Sequence, residues 1–306
     1  MFAQIKPNCM LLEKPIPVLY IFNKVKFELL VVVCLSLLIL SFKIQFKGFL
    51  PEVPIAIPAF LGTAISILLS FKLNQSYDRW WEARKIWGSI VNDSRSFVMQ
   101  LNTFTAKGNE AVIKKIAFRQ IAWCYSLGQT LRSLDALTGL ENYISNDDIE
   151  ELKQHTNKPL GLLQLNHEEI MKLKERKQLD LFHQINISDT IVRLCDAQGK
   201  SERIKTTVFP VTYKLFLHSI IYLFVCMLSI SLVDIEGYFE LPLLLFISAI
   251  FFLLEKTSNH IQDPFENRAT DTAMTTISRT IEINIKQLLK ETKIPEPLKS
   301  ETFYSL

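Results

Sequence analysis

Residues Val53–Gly88 read VPIAIPAFLGTAISILLSFKLNQSYDRWWEARKIWG. Val53–Phe71 carries no charge, and its length suits a helix that crosses the roughly 30 Å of a bilayer's hydrocarbon core. Small and polar residues recur along it: Ala56, Ala59, Gly62, Thr63, Ala64, Ser66 and Ser70. Such residues let helices approach closely, and a helix facing lipid does not need them. Pro54 and Pro58 in the first half are tolerated where a membrane helix starts or lines a cavity. Thr63, Ile67, Ser70, Phe71 and Asn74 fall on one helical face. The helix then runs on into a stretch dense in charge and tryptophan.

Three more apolar runs lie outside this segment. Leu215–Val233 is uncharged, Leu29–Phe42 is followed by Lys43, and Leu241–Leu254 follows Tyr238 and Phe239. Lys43 is expected to snorkel to the headgroups, and the aromatic pair suits an interface. The fold class is therefore all-α. It has four transmembrane helices, at about 27–46, 53–74, 212–233 and 238–256, and one helical polar region between the two hairpins. The chain of 306 residues reads as a single unit, with cytoplasmic parts at 75–210 and 257–306. The alternative for the two shorter runs is buried helices of a soluble core.

Lysine and arginine set the orientation. Lys6, Lys14, Lys24 and Lys26 precede the first span, Lys72, Arg79, Arg84 and Lys85 follow the second, and Lys256 and Arg268 follow the fourth. Asp234, Glu236 and Glu240 lie between the third and fourth. Lys43 and Lys47 are a mild counter-signal. Both termini are expected in the cytoplasm of a multi-pass plasma (inner) membrane protein. No cleavable signal is expected in Met1–Pro17.

In the polar middle, Ala111–Leu134 repeats apolar residues at helical spacing, and Asn146–Leu152 and His167–Leu181 are charged and partly amphipathic. Asn157–Pro159 reads as a turn. Nine glycines speak against much sheet. Cys9, Cys34, Cys124, Cys195 and Cys226 have no metal spacing and read as buried reduced thiols. The five histidines form no paired motif. A net charge of +3 without a basic tract speaks against nucleic-acid binding. Hydrophobic residues make up 49% of the chain and mean hydropathy is +0.19, so apolar spans alternate with a substantial polar part.

Lys72, Asn74, Ser76, Tyr77, Arg79, Trp80, Glu82, Ala83, Arg84, Trp87 and Gly88 resemble the bestrophin family, particularly its bacterial branch. A second match is Gln262-Asp263-Pro264-Phe265-Glu266-Asn267, and a weaker one Pro210–Tyr213 ahead of the third span. Order and spacing agree over roughly residues 20–290. There are departures: Gln262 replaces an acidic residue, and Glu266 stands where the family has glycine. The resemblance implies a homopentamer around a central pore, with Thr63, Ile67 and Phe71 as three rings of a hydrophobic neck. Thr63 is polar where the family is bulky and apolar. Ser70 and Asn74 flank the neck, Lys72 is a candidate positive ring at the inner mouth, and Glu52 a candidate negative ring at the outer one. A second constriction at the cytoplasmic exit aligns loosely with Leu181 or Phe182.

Without the family, Tyr77, Arg79, Trp80, Glu82, Arg84, Trp87 and Gly88 read as scaffold. The charges among Asp78–Lys85 are placed to pair locally, and Trp80, Trp81 and Trp87 to anchor the helix at the membrane surface. Asp263 before Pro264 fits a helix N-cap, with Phe265 completing the second motif. Animal members bind calcium here, but Asp263, Glu266 and Asp271 are few carboxylates for an ion that takes six to eight oxygens. No metal or other cofactor is expected. His218, inside the third span, is a candidate pH sensor or a simple interhelical bond.

The function these readings imply is ion conduction, chiefly of chloride, with a cation channel as the alternative. An aromatic edge turned to the pore favours anions and its face favours cations. A membrane enzyme would need convergent acids, bases or a metal, for which His260, Asp263 and Glu266 are the nearest candidates. A membrane-anchored scaffold is the third reading. The expected partners are inorganic ions, the lipid bilayer and further copies of the chain.

Overall fold

Helix α2, Ala56–Phe104, runs unbroken for 49 residues through the decisive segment and far beyond it. Ile57 N–H bonds to Pro54 O at 3.0 Å and Ala59 N–H to Ile55 O at 3.1 Å. Both prolines thus sit at the helix start, where missing donors cost little. Gly88 is the one glycine after Gly62 within α2, which holds no proline beyond Pro58, and the helix continues through it.

The computed structural model describes residues 18–46, 53–207, 210–232, 237–268 and 270–298. Every element among them is helical. Before α2 comes α1 (Val18–Gln45), and after it α3 (Glu110–Leu131), α4 (Asn146–Lys153) and α5 (Lys158–Glu175). These are followed by α6 (Leu181–Thr206), α7 (Val211–Ser231), α8 (Gly237–Gln262) and α9 (Met274–Leu288). Two compact units result. Of the described residues, one comprises 18–46, 53–79, 210–232 and 237–263, and the other 80–207, 264–268 and 270–298. α2 contributes to both.

The first unit holds α1, the start of α2, α7 and α8. Its core is aliphatic and aromatic: Val25, Val32, Ile65, Leu69, Leu217, Ile221, Phe224 and Phe252. Gly62 lets α2 approach α7, since a Cβ there would lie 3.1 Å from the Phe224 ring. Among the described residues three helices are long and apolar enough to cross a membrane: Leu19–Gln45, Ala56–Phe104 and Val211–Ser231. α1 begins nearer the N-terminus than the apolar run suggested, because Lys24 and Lys26 do not stop it. The fourth expected span falls within α8.

Several charges in this unit are paired across helices. Lys43, expected to snorkel, is engaged with groups of its own unit. It bonds Glu240 Oε1 at 3.1 Å and the Ser229 carbonyl, and Ser229 Oγ donates to Glu240 at 2.6 Å. The pair and the Ser229 bonds offset part of the cost of taking both charges out of water. Near the other end of these helices, Lys256 meets Glu28 at 2.5 Å and Lys24 meets His260 Nδ1 at 3.0 Å.

The second unit packs around α3, whose inward face includes Ile113, Ile116, Trp123 and Leu127. α5, α6 and α9 contact it. Arg119 makes a buried bidentate pair with Asp148, at 2.8 and 2.5 Å, and donates to Leu165 O. Ser145 caps α4 through Asp148 N–H, and Asp180 caps α6 through Phe182 and His183 N–H. Asn157 is itself the cap of α5, with Pro159 in its first turn, so the expected turn is a helix start. The amphipathic run at 167–181 is not one helix. α5 ends at Glu175, and Lys177 takes a left-handed φ of 57°. Cys124 is buried, and burial pushes its thiol up to about 12. Cys34 and Cys195 are exposed, contrary to expectation, because each faces away from its unit's core. Cys9 lies outside the described residues.

Candidate functional site: an exposed face of α2

The side of α2 that faces away from the first unit's core carries a continuous strip. Ile67 is 53% exposed and Phe71 63%, and Thr63, Ser70 and Asn74 are exposed with them. Their neighbours Ile65 and Leu69 point the other way, into the core. The strip follows from helical geometry, since residues three, four and seven apart stack on one face. Thr63 Oγ1 donates to Ala59 O at 2.9 Å, which leaves its oxygen able to accept from water.

Phe60, one turn before Thr63, belongs to the same strip and is 77% exposed. The sequence reading missed it, although its seven-residue spacing from Ile67 could have shown it. Lys72 does not share the strip. It is buried, and its ammonium donates to Asn259 Oδ1 of α8 at 2.5 Å. One residue after Phe71 is about 100° of rotation, which turns Lys72 toward the core. Glu52 lies outside the described residues. Leu181 and Phe182, at the N-terminal end of α6, are 52% and 78% exposed, held there by the Asp180 cap.

The motif residues are scaffold, though differently wired than expected. Arg79 donates through Nε to Gln262 O at 2.8 Å and lies 3.8 Å from Asp263. It is thus engaged with the second motif rather than only with neighbours on α2. The acceptor is a backbone carbonyl, so this bond does not depend on which side chain stands at 262. Trp80 Nε1 donates to Thr270 O at 2.9 Å. Of the expected local pairs, Glu82–Lys85 forms at 2.6 Å. Trp87 is no surface anchor. It is fully buried in the second unit with Ala83, Ile86 and Ile90, residues on the same face of α2. Tyr77 and Trp81 are exposed, Arg84 is half-buried, and a Cβ at Gly88 would meet Arg84 Nη1 at 3.8 Å.

Asp263 caps no helix, because residues 264–267 form a turn and bend and α9 starts only at Met274. The segment closes on itself instead. Thr272 N–H bonds Pro264 O, Arg268 N–H bonds Asp271 Oδ2, and Phe265 is buried. Burial pushes the Asp271 carboxyl up to about 6. Glu266 pairs with Lys205 at 2.6 Å, which holds its carboxyl below the usual range. The three carboxylates are therefore committed to different partners. Among the described residues no three His, Cys, Asp or Glu side chains are grouped to hold a metal.

His218 bonds across to a neighbouring helix, with Nδ1 3.0 Å from Glu255 Oε2 on α8. His260 pairs with Lys24 of α1, while Asp263 and Glu266 serve Arg79 and Lys205.

These features define a helical membrane protein whose second helix presents a mixed polar and apolar face away from its own core. The family model described as Bacterial/Fungal Bestrophin protein matches residues 16–287, and the chain belongs to the bestrophin family. It is 31% identical over 247 residues to the voltage-dependent anion channel-forming protein YneE of Escherichia coli (strain K12), covering 80% of each chain. It is 26% identical over 278 residues to the voltage-dependent anion channel-forming protein RSc3414 of Ralstonia nicotianae, covering 90% of each. The crystal structure of a bacterial bestrophin homolog from Klebsiella pneumoniae is similar with a TM-score of 0.80 at 27% identity. That match covers 88% of this chain and 100% of the other.

Proposed function

We propose that the protein is an anion channel, conducting chiefly chloride, assembled as a homopentamer in the plasma membrane with both termini in the cytoplasm. α1, the first part of α2, α7 and α8 are its four spans, and residues 1–306 form one channel subunit. The observation that carries this reading is the α2 strip. Thr63, Ile67 and Phe71 recur at i, i+4 and i+8 and are exposed, whereas Ile65 and Leu69 between them are buried in the core. A helix facing only lipid has no use for Thr63, Ser70 and Asn74 on that side. Copies of the strip around an axis would form a narrow, mostly apolar constriction, which gates by drying rather than by ion coordination.

Leu181 or Phe182 is the candidate second ring. Calcium is not a resident cofactor in this proposal, because Asp263, Glu266 and Asp271 are already spoken for by Arg79, Lys205 and their own loop. Enzymatic activity is not proposed. The names of the relatives support anions over cations. The test is current through the purified protein in a planar bilayer under a salt gradient. A reversal potential on the chloride side supports the proposal, one on the cation side refutes anion conduction, and no current from an intact oligomer refutes the channel.

A further inference from the structure

The geometry points to a binding site for a small organic anion, a carboxylate or phosphate carried on an apolar body. The site is a cleft of the second unit, where the C-terminal end of α2, the start of α3 and the end of α9 meet. This inference goes beyond the channel reading and does not depend on it.

Local backbone geometry brings the three ends together. α2 stops at Phe104, and Ala106 N–H bonds Gln178 O at 2.9 Å. Gly108 then takes a left-handed φ of 93°, which glycine adopts without strain, and the chain enters α3. α9 ends against the same place: Asn102 Nδ2 donates to Leu288 O at 3.3 Å, and Lys290, with a φ of 57°, turns the chain off the helix. Between these ends lies a cavity of about 510 Å³, within the range of small-molecule sites.

The charges around it favour an anion. Lys107, Lys114 and Lys290 line the cavity against Glu110 and Glu291, three positive charges against two negative. Both carboxylates are already engaged. Glu291 pairs with Lys114 at 2.6 Å. Glu110 is held below the usual carboxylate range by its own N–H and by that of Gly108, which donates to it at 3.2 Å. Among the described residues Lys107 and Lys290 have no ion-pair partner, so two ammonium groups remain for a ligand.

A second observation is independent of charge. Thr105 also lines the cavity, is only 8% exposed, and its hydroxyl has no hydrogen-bond partner among the described residues. Buried polar groups are rarely left unsatisfied, and an oxyanion is an acceptor for this O–H. The start of α3 adds the positive end of a 22-residue helix. Leu288 and Leu289 supply an apolar wall, which an inorganic ion would leave uncovered and an organic body would cover.

The experiment is calorimetric titration of the full-length protein in detergent at low ionic strength. The probes are phenyl phosphate, inorganic phosphate and the neutral benzyl alcohol. Phenyl phosphate should bind saturably, and more tightly than either of the others. Lys107→Gln and Lys290→Gln should each weaken it about tenfold, the loss expected for one charge-assisted bond. Thr105→Val should weaken it about threefold or more, and if that variant does not fold the lysine variants decide. Lys153→Gln, the same charge change on exposed α4, should leave binding unchanged. No saturable binding of phenyl phosphate to folded wild type overturns the inference. So does equal binding of benzyl alcohol, an equal loss in Lys153→Gln, or full affinity in both lysine variants of the cleft. Conduction enters none of these readouts, so the channel reading stands or falls separately.

Discussion

Ile65 and Ile67 are two residues apart on α2 and have opposite surroundings. Ile65 is 0% exposed among Leu69, Ile221 and Phe224, while Ile67 is half exposed. Truncating each to alanine removes the same atoms, so the two variants separate packing from pore. For Ile65→Ala the cost is a cavity. It should be about 2 kcal/mol, the low end of the range for buried Ile→Ala, because a span gains no water-to-hydrocarbon transfer from its apolar contacts. For Ile67→Ala the subunit loses few contacts, and the cost should stay within roughly 0.5 kcal/mol. The current should respond the other way. Ile67→Ala widens an apolar ring, and lowering the barrier by about 0.7 kcal/mol raises current about threefold. Ile65→Ala should leave unitary conductance unchanged. Thermal unfolding in detergent and single-channel recording of both variants make the comparison. If Ile67→Ala destabilises as much as Ile65→Ala and leaves conductance alone, Ile67 is a packing residue and the exposed strip is not the path.

Three further outcomes follow from the same structure. Asp271 has its folded carboxyl raised by burial to about 6, so the folded state binds a proton that the unfolded chain, titrating near 4, does not. Its contribution is largest below pH 4 and is lost as pH rises through about 6. It amounts to roughly 3 kcal/mol over that window, and Asp271→Asn should abolish this part of the pH dependence of thermal unfolding. Arg119→Ala strands the buried Asp148 carboxylate and should cost about 3–5 kcal/mol, whereas Arg119→Met with Asp148→Leu should recover most of it in the same denaturation assay. Gly62→Val drives methyl groups into the Phe224 ring and should cost about 1–3 kcal/mol, seen as a lower unfolding temperature of the assembled protein.

The helices were legible where one local signal sufficed. The uncharged stretch to Phe71 fixed the pore-helix candidate, and the apolar spacing from Ala111 fixed α3. Thr63, Ile67 and Phe71 lie on one exposed strip because helical periodicity alone determines who shares a face. What depended on partners distant in the chain was not legible. Lys43 and Glu240 are 197 residues apart, and Lys72 and Asn259 are 187, so no local pattern could show that either lysine turns inward. Trp87 was misread because tryptophan beside arginine and lysine resembles an interfacial anchor, and only the packing of Ala83, Ile86 and Ile90 shows it to be core. The break after Glu175 has no glycine or asparagine to announce it. Lysine takes the left-handed position, and the Asp180 cap then restarts the helix.

The most direct test of the central claim is thiol access along α2. With the native cysteines replaced by alanine, single cysteines are introduced at Thr63, Ile65, Ile67, Leu69 and Phe71, and a charged thiol reagent is applied during recording. Loss or alteration of current at 63, 67 and 71 but not at 65 and 69 is the expected result. Reaction that changes the current at 65 and 69 while 63, 67 and 71 stay silent would contradict it.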